Sequence, residues 1–544
     1  MRALLVVAVA LAVAAPAAAG GWSSAVPFSN QVAGSPFRGG GYPVPEGSTA
    51  PLPGTCRLGE YDANRSESWL AVKPGSEDLV GTSKVFFERY STYYMFHLGS
   101  YTIPKGKPAG NNIVQGYECV TTGSQDSPPT WTNNTDPNVA FDTQGRAYQV
   151  TLPFNMWWGN GFSPDAAIGV VYSDDLGRTW VKGNGGAFLD KVPMQSSKTF
   201  GGVEDKQWVA VNQAPLSVNR DHVYAAWAVF NGFTVKIKVA VSRDRGETFS
   251  KPATLTSPSQ TGPATTYVYP AVDAAGDVYI ALAAFPACCS SPARIYVTRS
   301  VDDGRTWGPF VQVASTPTIG SLPNTTFRDG IVEHFAASPT YPGHLYLVYE
   351  AWDGTQMDVK LSQSTDAGLT WTASAVVNDN VDAPGEATDQ FQPSVAAGPG
   401  GAVAVAFYDR RLACPSDPSV LPADVGRQNF CIDVSLQAYK DSGAGAVPVG
   451  GNVRLSKFTW DPEQPRQTVG GIDQYACAGH TDPCPAGRGF IGDYFGLAVS
   501  TKSIYTLSVS THYPSSVVAD AGGPVYYQQQ VLATVARSAF GPGY

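Results

Sequence analysis

Acidic residues at six places along the chain each stand just before a short apolar segment. They are Glu67, Asp136, Glu204–Asp205, Glu333, Asp389 and Asp493. Like charges that are brought close together raise one another's pKa, so a group of carboxyls can hold a protonated acid beside an ionised base. Glycoside hydrolysis uses such a pair, with carboxyls roughly 5–5.5 Å apart for retention or roughly 6.5–9.5 Å apart for inversion. A single carboxyl can equally cap its own strand or pair with a Lys or Arg, so a site requires their convergence.

The apolar segments behind these acids form a repeat centred on alanine. The alanines are Ala71, Ala140, Ala210, Ala271, Ala336, Ala396 and Ala498, and successive ones are 69, 70, 61, 65, 60 and 102 residues apart. Most are followed by a Gly/Asp turn and a second predicted strand with a tyrosine. These tyrosines are Tyr148, Tyr224, Tyr279, Tyr346 and Tyr505.

An octamer of the form S-x-D-x-G-x-T followed by Trp or Phe recurs with a similar period. It occupies residues 173–180, 242–249, 300–307 and 364–371, with degenerate copies at 124–131 and around Asp441–Gly443. Its glycine supplies a positive φ, and its Ser and Asp side chains can bond N–H groups within a turn. Each octamer is therefore predicted to be a turn between two strands, with the aromatic ring packed beneath it.

Together the two repeats predict modules of four antiparallel strands, which are the blades of an all-β propeller. Seven anchoring alanines favour seven blades, and six are the alternative if one anchor belongs to a closing strand. The 102-residue step predicts a disulfide-braced insertion at about 412–488, with an eighth, degenerate blade as the less favoured explanation. The expected organisation is a signal peptide over 1–19, an extended arm over 20–60 and one propeller domain over 61–544.

Composition agrees with this fold and excludes several others. The 544 residues include 57 Gly and 42 Pro, and only 15% are charged, which argues against a helix bundle. A net charge of −9 without a Lys/Arg run argues against a nucleic-acid partner. Residues 1–19 have one positive charge, an apolar core and a small-residue end, as secretory signals do. No later segment is apolar enough to span a membrane, so a secreted or periplasmic protein is expected.

Eight cysteines fit an oxidising compartment, and Cys414–Cys431 and Cys477–Cys484 are spaced to close loops. The sequence has no CxxC pair and its six histidines are scattered, so a zinc site is not favoured. Calcium could lie among carboxylates, although no ligand spacing indicates it. No redox cofactor is expected.

The octamers resemble those of the Asp-box (BNR-repeat) propellers, the superfamily of the sialidases, and the resemblance covers roughly residues 60–540. It implies a propeller in which Asp175, Asp244, Asp302 and Asp366 are structural and lie away from the substrate face. Many relatives are secreted glycoside hydrolases, while others are polysaccharide lyases or non-enzymatic sorting receptors. The resemblance therefore indicates the fold more specifically than the function.

Sialidases bind a substrate carboxylate with three arginines and use a glutamate-activated tyrosine as nucleophile. The resemblance implies Arg65, Arg328 and Arg410 (or Arg411) as the carboxylate-binding arginines and Tyr494 (or Tyr408) as the nucleophile. Arg38 in PFRGG lacks the Ile and Pro of the family's motif, which puts specificity for sialic acid in doubt.

The predicted function is a secreted sialidase-like glycoside hydrolase, either of the exo-α-sialidase type or a related glycan hydrolase. The predicted catalytic residues are Asp136, Asp205, Glu333, Asp389, Asp493 and Tyr494. The predicted substrate-binding residues are Arg65, Arg328, Arg410, Glu67 and Trp208. Two alternatives stay open: a non-catalytic propeller that binds glycan or protein through the same face, and a polysaccharide lyase with His334 as its base.

Overall fold

The structure is a computed structural model. It describes residues 21–34, 64–86, 96–114, 133–155, 165–192, 202–231, 234–286, 291–319, 321–325, 327, 329, 333–382, 385–464, 468–469, 472–473, 490–520 and 523–544. The helical elements in these ranges include one α-turn, α1 (Pro258–Thr261), and 3-10 turns at Asn184–Gly186, Pro399–Gly401 and Arg537–Phe540. No helix in the same ranges is long and apolar enough to cross a membrane.

Most of the strands follow one design, in which an inner strand is followed by strands that each pair antiparallel with the one before. In chain order they are β1 (Phe28–Gly34); β2 (Arg65–Val72), β3 (Leu79–Phe86), β4 (Phe96–Ile103), β5 (Gly110–Ile113); β6 (Asn133–Thr135), β7 (Ala140–Phe141), β8 (Ala147–Asn155), β9 (Asp165–Ser173), β10 (Val181–Lys182), β11 (Asp190–Val192); β12 (Gly202–Val211), β13 (Val223–Asn231), β14 (Thr234–Ser242), β15 (Ala253–Thr254); β16 (Ala264–Val272), β17 (Val278–Phe285), β18 (Ala293–Ser300), β19 (Val311–Thr316); β20 (Glu333–Ala337), β21 (Leu345–Trp352), β22 (Met357–Ser364), β23 (Ala375–Val376); β24 (Gln390–Gly398), β25 (Ala402–Asp409), β26 (Asp433–Asp441), β27 (Ala446–Arg454), β28 (Thr468–Val469), β29 (Ile472–Asp473); β30 (Gly496–Val499), β31 (Ser503–Ser510), β32 (Pro514–Asp520), β33 (Gly523–Tyr526) and β34 (Gln529–Ala536).

The units pack side by side around a ring. Each inner strand contacts the neighbouring unit along the chain, and β30 of the last unit contacts β2 of the first. A closed ring of radially arranged antiparallel sheets is a β-propeller, so the predicted fold class is confirmed. The seven blades favoured by the sequence stay a prediction.

The alanine repeat marks equivalent positions, because each alanine pairs across to the second strand of its own sheet. Ala71 pairs with Val80 and Ala396 with Ala404. The other five pair with the predicted tyrosines, as Ala140–Tyr148, Ala210–Tyr224, Ala271–Tyr279, Ala336–Tyr346 and Ala498–Tyr505.

Two segments that the sequence placed outside the blades, the arm and the insertion, contain strands of the propeller sheets. The arm expected over 20–60 contains β1, which pairs with β34 and so completes the last sheet. The insertion expected over 412–488 is not one segment, because β26 and β27 are strands of the sheet that begins with β24. Cys414 and Cys431 form the expected disulfide, and the other six cysteines lie outside the described residues.

The octamers form turns that join the third and fourth strands of their sheets. In the first, the Ser173 hydroxyl accepts the Gly177 N–H and donates to Asp175. Asp175 in turn accepts the N–H and hydroxyl of Thr179. First and third strands run in the same direction, so the octamers lie at the end of the ring where the inner strands finish, away from the acids at their beginnings.

We expect Ser364→Ala to lower the free energy of unfolding by about 1–2 kcal/mol, because it leaves a buried N–H unsatisfied. Ser364 accepts the buried Gly368 N–H and donates to Asp366. Urea unfolding at pH 7 measures the loss, with the exposed Ser538→Ala as control. Equal stability of the two variants would contradict a structural role for the octamer.

Candidate functional site

A repeated β-bulge turns side chains of the inner strands toward one another. The pairing slips by one residue between Ser66 and Trp69, and again between Asp205 and Trp208, Thr266 and Tyr269, and Phe391 and Ser394. A residue with positive φ sits in each bulge or at the matching place of the second sheet: Glu67, Asp136, Lys206, Tyr267 and Gln392. Bulges re-aim side chains, and this shared one explains how positions far apart in sequence meet.

Four of the predicted carboxyls meet around two lysines. We call Glu67, Asp136, Asp205 and Asp493, with Lys84 and Lys206, the central cluster. The Lys206 Nζ lies 2.6 Å from Asp493 Oδ2 and 3.8 Å from Asp136 Oδ2. The main-chain N–H of Lys206 donates to Asp205 and to Asp136. Lys206 therefore joins three carboxyls from different parts of the chain, Asp493 and Asp136 through its ammonium and Asp205 through its main chain.

Asp136 and Asp205 share a hydrogen bond, and their environments push their pKa values apart. Burial raises the pKa of Asp205 to about 7, Lys206 opposes this rise, and the charge of Asp136 adds to it. Burial also opposes ionisation of Asp136, but Lys206, Lys84 and the hydrogen bond from Asp205 hold its pKa below the usual range. At pH values between these two pKa values, the pair is a protonated Asp205 beside an ionised Asp136.

Glu67 is, after Asp205, the second carboxyl of the central cluster whose pKa is raised. Burial raises its pKa to about 7, Lys84 opposes the rise, and the charges of Asp136 and Asp493 add to it. Lys84 Nζ lies 2.8 Å from Glu67 Oε2. Burial disfavours the charge of Lys206, yet the surrounding carboxylates raise its pKa well above the usual value. Both lysines therefore form ion pairs with carboxylates of the cluster.

Aromatic rings fill the axis beside the cluster and form what we call the aromatic plug: Trp69, Trp208, Tyr269, His334 and Tyr494. Their centroids lie 4.6 Å apart for Trp69–Trp208, 5.1 Å for Trp208–Tyr494 and 4.8 Å for Tyr269–His334. Trp208 was expected to bind substrate, but it is buried and packed between these rings, so a sugar has no access to its faces.

Tyr494 and His334 also belong to the aromatic plug, and their surroundings do not suit the roles of nucleophile and base predicted for them. The Tyr494 hydroxyl donates to the carbonyl of Pro137, and burial with the nearby charges of Glu67 and Asp136 raises its pKa well above the usual value. The structure therefore does not support Tyr494 as a nucleophile. His334, the base of the lyase alternative, accepts the Val395 N–H, and burial lowers its pKa to about 3. An imidazole so enclosed is a poor general base.

Asp389 lies outside the central cluster, in a second acidic group with Asp329 and Glu350. It accepts the N–H of Met357 and the side chain of Asn429, and its Oδ2 lies 3.4 Å from Arg410. Burial raises the pKa of Asp329 to about 7, and the charges of Asp493 and Asp389 add to it. The second group thus borders the central cluster through Asp329.

Of the arginines expected to bind a substrate, Arg410 is held by groups outside the central cluster. Arg410 is fully buried and donates to the carbonyls of Pro323 and Phe430 as well as to Asp389. Arg65 is fully buried at the start of β2, where Gln528 holds its main chain. Arg328 lies outside the described residues.

Glu333 stands apart from the other predicted acids. It begins β20, and within the described residues its buried carboxyl has no hydrogen-bond partner. Burial raises its pKa well above the usual value, and burial together with the charge of Glu333 raises the pKa of Tyr269 of the plug. It contributes to the axis but does not touch the central cluster.

Sequence reasoning missed the residues that give the cluster its charge balance. Lys206 follows Asp136 by 70 residues and Asp136 follows Glu67 by 69, so Lys206 occupies the same bulge position as two acids. Aligning residues by that spacing, without requiring an acid, would have found it. Lys84 and Asp329 come from other strands and connections, and no repeat indicates them. Within the described residues, no group of His, Cys, Asp and Glu could hold a metal ion.

Comparisons with known proteins identify no family. No family model matches the chain, and no curated protein matches it. Solved structures do resemble it. An α-L-arabinofuranosidase from Fusarium graminearum has a TM-score of 0.37 at 12% identity, covering 74% of this chain and 93% of that one.

Two further solved structures resemble the chain at the same level. A sialidase from Streptococcus pneumoniae has a TM-score of 0.37 at 12% identity, covering 88% of this chain and 70% of that one. A polysaccharide lyase acting as an ulvan lyase has a TM-score of 0.41 at 12% identity, covering 72% and 81%. Scores this low do not assign an activity to this chain.

Proposed function

We propose that this protein is an exported glycoside hydrolase whose chemistry takes place at the central cluster. The observation that carries the proposal is the hydrogen-bonded carboxyl pair Asp136–Asp205, which shares the main-chain N–H of the partly exposed Lys206 and whose pKa values are shifted in opposite directions. Neighbouring carboxyls with separated pKa values are the arrangement that general acid–base chemistry on a glycosidic bond requires. Export is supported by the sequence of residues 1–19 and by the Cys414–Cys431 disulfide.

In this proposal Asp205 is the general acid that protonates the departing sugar oxygen. Asp136 holds the Asp205 proton until it is transferred, since both carboxyls cannot readily ionise in contact. Two hydrogen-bonded carboxyls stand closer than the roughly 5 Å that separates acid from nucleophile or base in glycosidases. In this proposal the second carboxylate is therefore Asp493, which is bound to the Lys206 ammonium at 2.6 Å.

A small cavity supports hydrolysis at this place. It is lined by Asp136, Lys206, Tyr267 and Tyr494, among others, and its volume of about 10 Å³ is about what one water molecule needs. Polar partners for that water are available from the carboxylate and the ammonium. A water in this cavity would lie beside Asp136 and Lys206, next to the carboxyl pair.

The charges of the site favour a neutral sugar over an anionic one. Lys84 and Lys206 are each bound to carboxylates, and Arg410 is enclosed by carbonyls and Asp389. Among the described residues, a substrate carboxylate would meet an acidic cluster whose two lysines are already paired, and Arg410, whose planar guanidinium could bind a carboxylate, is turned to other partners. We therefore place the substrate among neutral glycosides, which separates this protein from the sialidase type.

The test is hydrolysis of a panel of 4-methylumbelliferyl glycosides by the full chain. We expect turnover of at least one neutral glycoside, and a lower kcat/KM by about tenfold or more for the sialoside and the glucuronide, given one like-charge contact. A preference for the sialoside would contradict the charge argument. Binding of glycans without turnover would favour the non-catalytic alternative, and an unsaturated product would favour the lyase.

A further inference from the structure

The octamer turns do more than close hairpins, because each reaches across to the preceding sheet. A Cβ added to Gly177 would meet Ser100 and Val80 of the first sheet, and one added to Gly304 would meet Val241 of the third. Trp180 likewise donates its indole N–H to Ser100. These turns and their aromatic rings fill the space between neighbouring blades.

The first sheet lacks an octamer, and its equivalent turn leaves that space open. This turn joins β4 to β5 and reads Pro-Lys-Gly-Lys-Pro over 104–108. Gly106 has the same positive φ as the octamer glycines, but a Cβ added there would meet nothing within 4 Å. Ala109 follows Gly106 by three residues, as Trp180 follows Gly177. A methyl group thus stands where the octamers place an aromatic ring.

The result is a cleft of about 970 Å³ between the first and last sheets, which we call the interblade cleft. Leu79, Ile103, Tyr505 and Leu532 line it and belong to one buried hydrophobic cluster, against which Ala109 packs. The cleft is at the octamer end of the ring and therefore opposite the central cluster. Its volume is at the upper end of the range for ligand pockets, about 300–1,000 Å³.

The charge of the cleft is opposite to that of the protein. Lys105, Lys107 and Lys502 line it and are exposed, whereas the whole chain carries a net charge of −9. Glu77 is the acidic side chain in its lining, and it is occupied by the hydroxyls of Ser500 and Tyr505. The three ammonium groups are therefore available to an anion from solvent.

Arg537 adds a buried cation to the lining of the cleft. It is 6% exposed and donates through NH1 to the carbonyls of Pro399 and Ser500. Within the described residues its Nε–H has no hydrogen-bond partner. A buried charged donor left without an acceptor is costly, and an anionic ligand in the cleft would relieve that cost.

We propose that the interblade cleft binds a segment of an anionic polysaccharide through its carboxylate or sulfate groups. The lysines and Arg537 would bind the anionic groups, while Pro104, Pro108, Pro542 and Tyr544 of the lining provide apolar walls for sugar rings. A free phosphate would occupy little of this volume, and a folded protein could not enter it. The cleft would hold the protein on an anionic matrix while the opposite face stays free.

The experiment measures binding of the full chain to fluorescent dextran sulfate and polygalacturonate, with neutral dextran and inorganic phosphate as competitors. We expect binding to both anionic chains, competition by neither competitor, and weakening as salt increases. The variant Lys105→Glu/Lys107→Glu/Lys502→Glu should lose about tenfold or more in affinity, since three favourable charge contacts become repulsive. The matched control Lys191→Glu/Lys236→Glu/Lys251→Glu reverses three exposed charges elsewhere and should stay within about twofold.

A second variant tests the cleft without changing its charge. Ala109→Trp should fill the space as the octamer aromatics do and weaken binding of both anionic chains by about tenfold, while the lysines remain in place. Equal losses in the two triple variants would show that net charge alone drives binding and would overturn the proposal. Unchanged affinity in Ala109→Trp, or effective competition by phosphate, would overturn it as well.

Discussion

Asp205→Asn is expected to lower kcat/KM for the best neutral glycoside by about a hundred- to ten-thousand-fold, the usual contribution of a general acid. The amide keeps the shape of the protonated carboxyl and can still donate to Asp136, but it has no proton to transfer. Initial rates with the 4-methylumbelliferyl substrate measure the loss. The matched control is Asp174→Asn on an octamer turn, where the carboxylate is exposed and paired with Arg146, and its activity should be unchanged.

The same substitution should stabilise the protein in alkaline solution. Burial holds the pKa of Asp205 at about 7, above the roughly 3.9 of an unfolded aspartate. The native state therefore keeps a proton that the unfolded chain has released, and wild-type stability falls as the pH rises from about 4 through 7. The amide of the variant does not titrate, so the variant should gain about 1–3 kcal/mol relative to wild type between pH 4 and pH 8. Urea unfolding of both proteins at pH 4 and pH 8 measures this gain. The same difference in free energy of unfolding at the two pH values would contradict the raised pKa of Asp205.

The fold could be predicted because its repeats depend on local chemistry. The octamers specify turns through hydrogen bonds within eight residues, and the alanines pair with tyrosines only a few residues downstream, as Ala140 does with Tyr148. The strand β1 could not be found in this way, because its partner β34 lies about 500 residues later and no local pattern connects them. The insertion was misplaced for a similar reason: β26 and β27 lack a complete octamer.

The site could be predicted only in part, because a bulge decides which side chain faces the cluster and which enters the plug. The acids Glu67 and Asp136 were found, yet Trp208 and Tyr494 stand in similar polar surroundings in the sequence and are buried on the axis. Asp389 was predicted to join the same group, but Arg410 at the end of the neighbouring strand holds it elsewhere. Lys206 was missed because an acidic pattern was sought at a position that the fold defines by backbone conformation.

The charge balance of the cluster links the fold to the chemistry of the site. Carboxyls from separate sheets can approach one another when a cation or a retained proton offsets their repulsion, and Lys206 supplies the cation at the bulge position shared with Glu67 and Asp136. The ammonium also keeps Asp136 ionised, which in turn keeps the proton on Asp205. Lys206 is therefore a positioning residue for the proposed chemistry, and it also joins Asp493 of the last unit to Asp136 of the second.

Lys206→Met should lower the free energy of unfolding by about 3–5 kcal/mol at pH 8, as removal of one partner from a buried charge network does. Methionine keeps the length of the side chain but leaves Asp493 and Asp136 without their ammonium partner. Without it the pKa values of these carboxyls rise, so the variant loses stability as the pH rises through them, and the difference from wild type should shrink towards pH 4–5. Urea unfolding at pH 5 and pH 8 measures both values, with the exposed Lys236→Met as control. A loss of the same size at both pH values would show that packing of the side chain, and not its charge, holds the acids together.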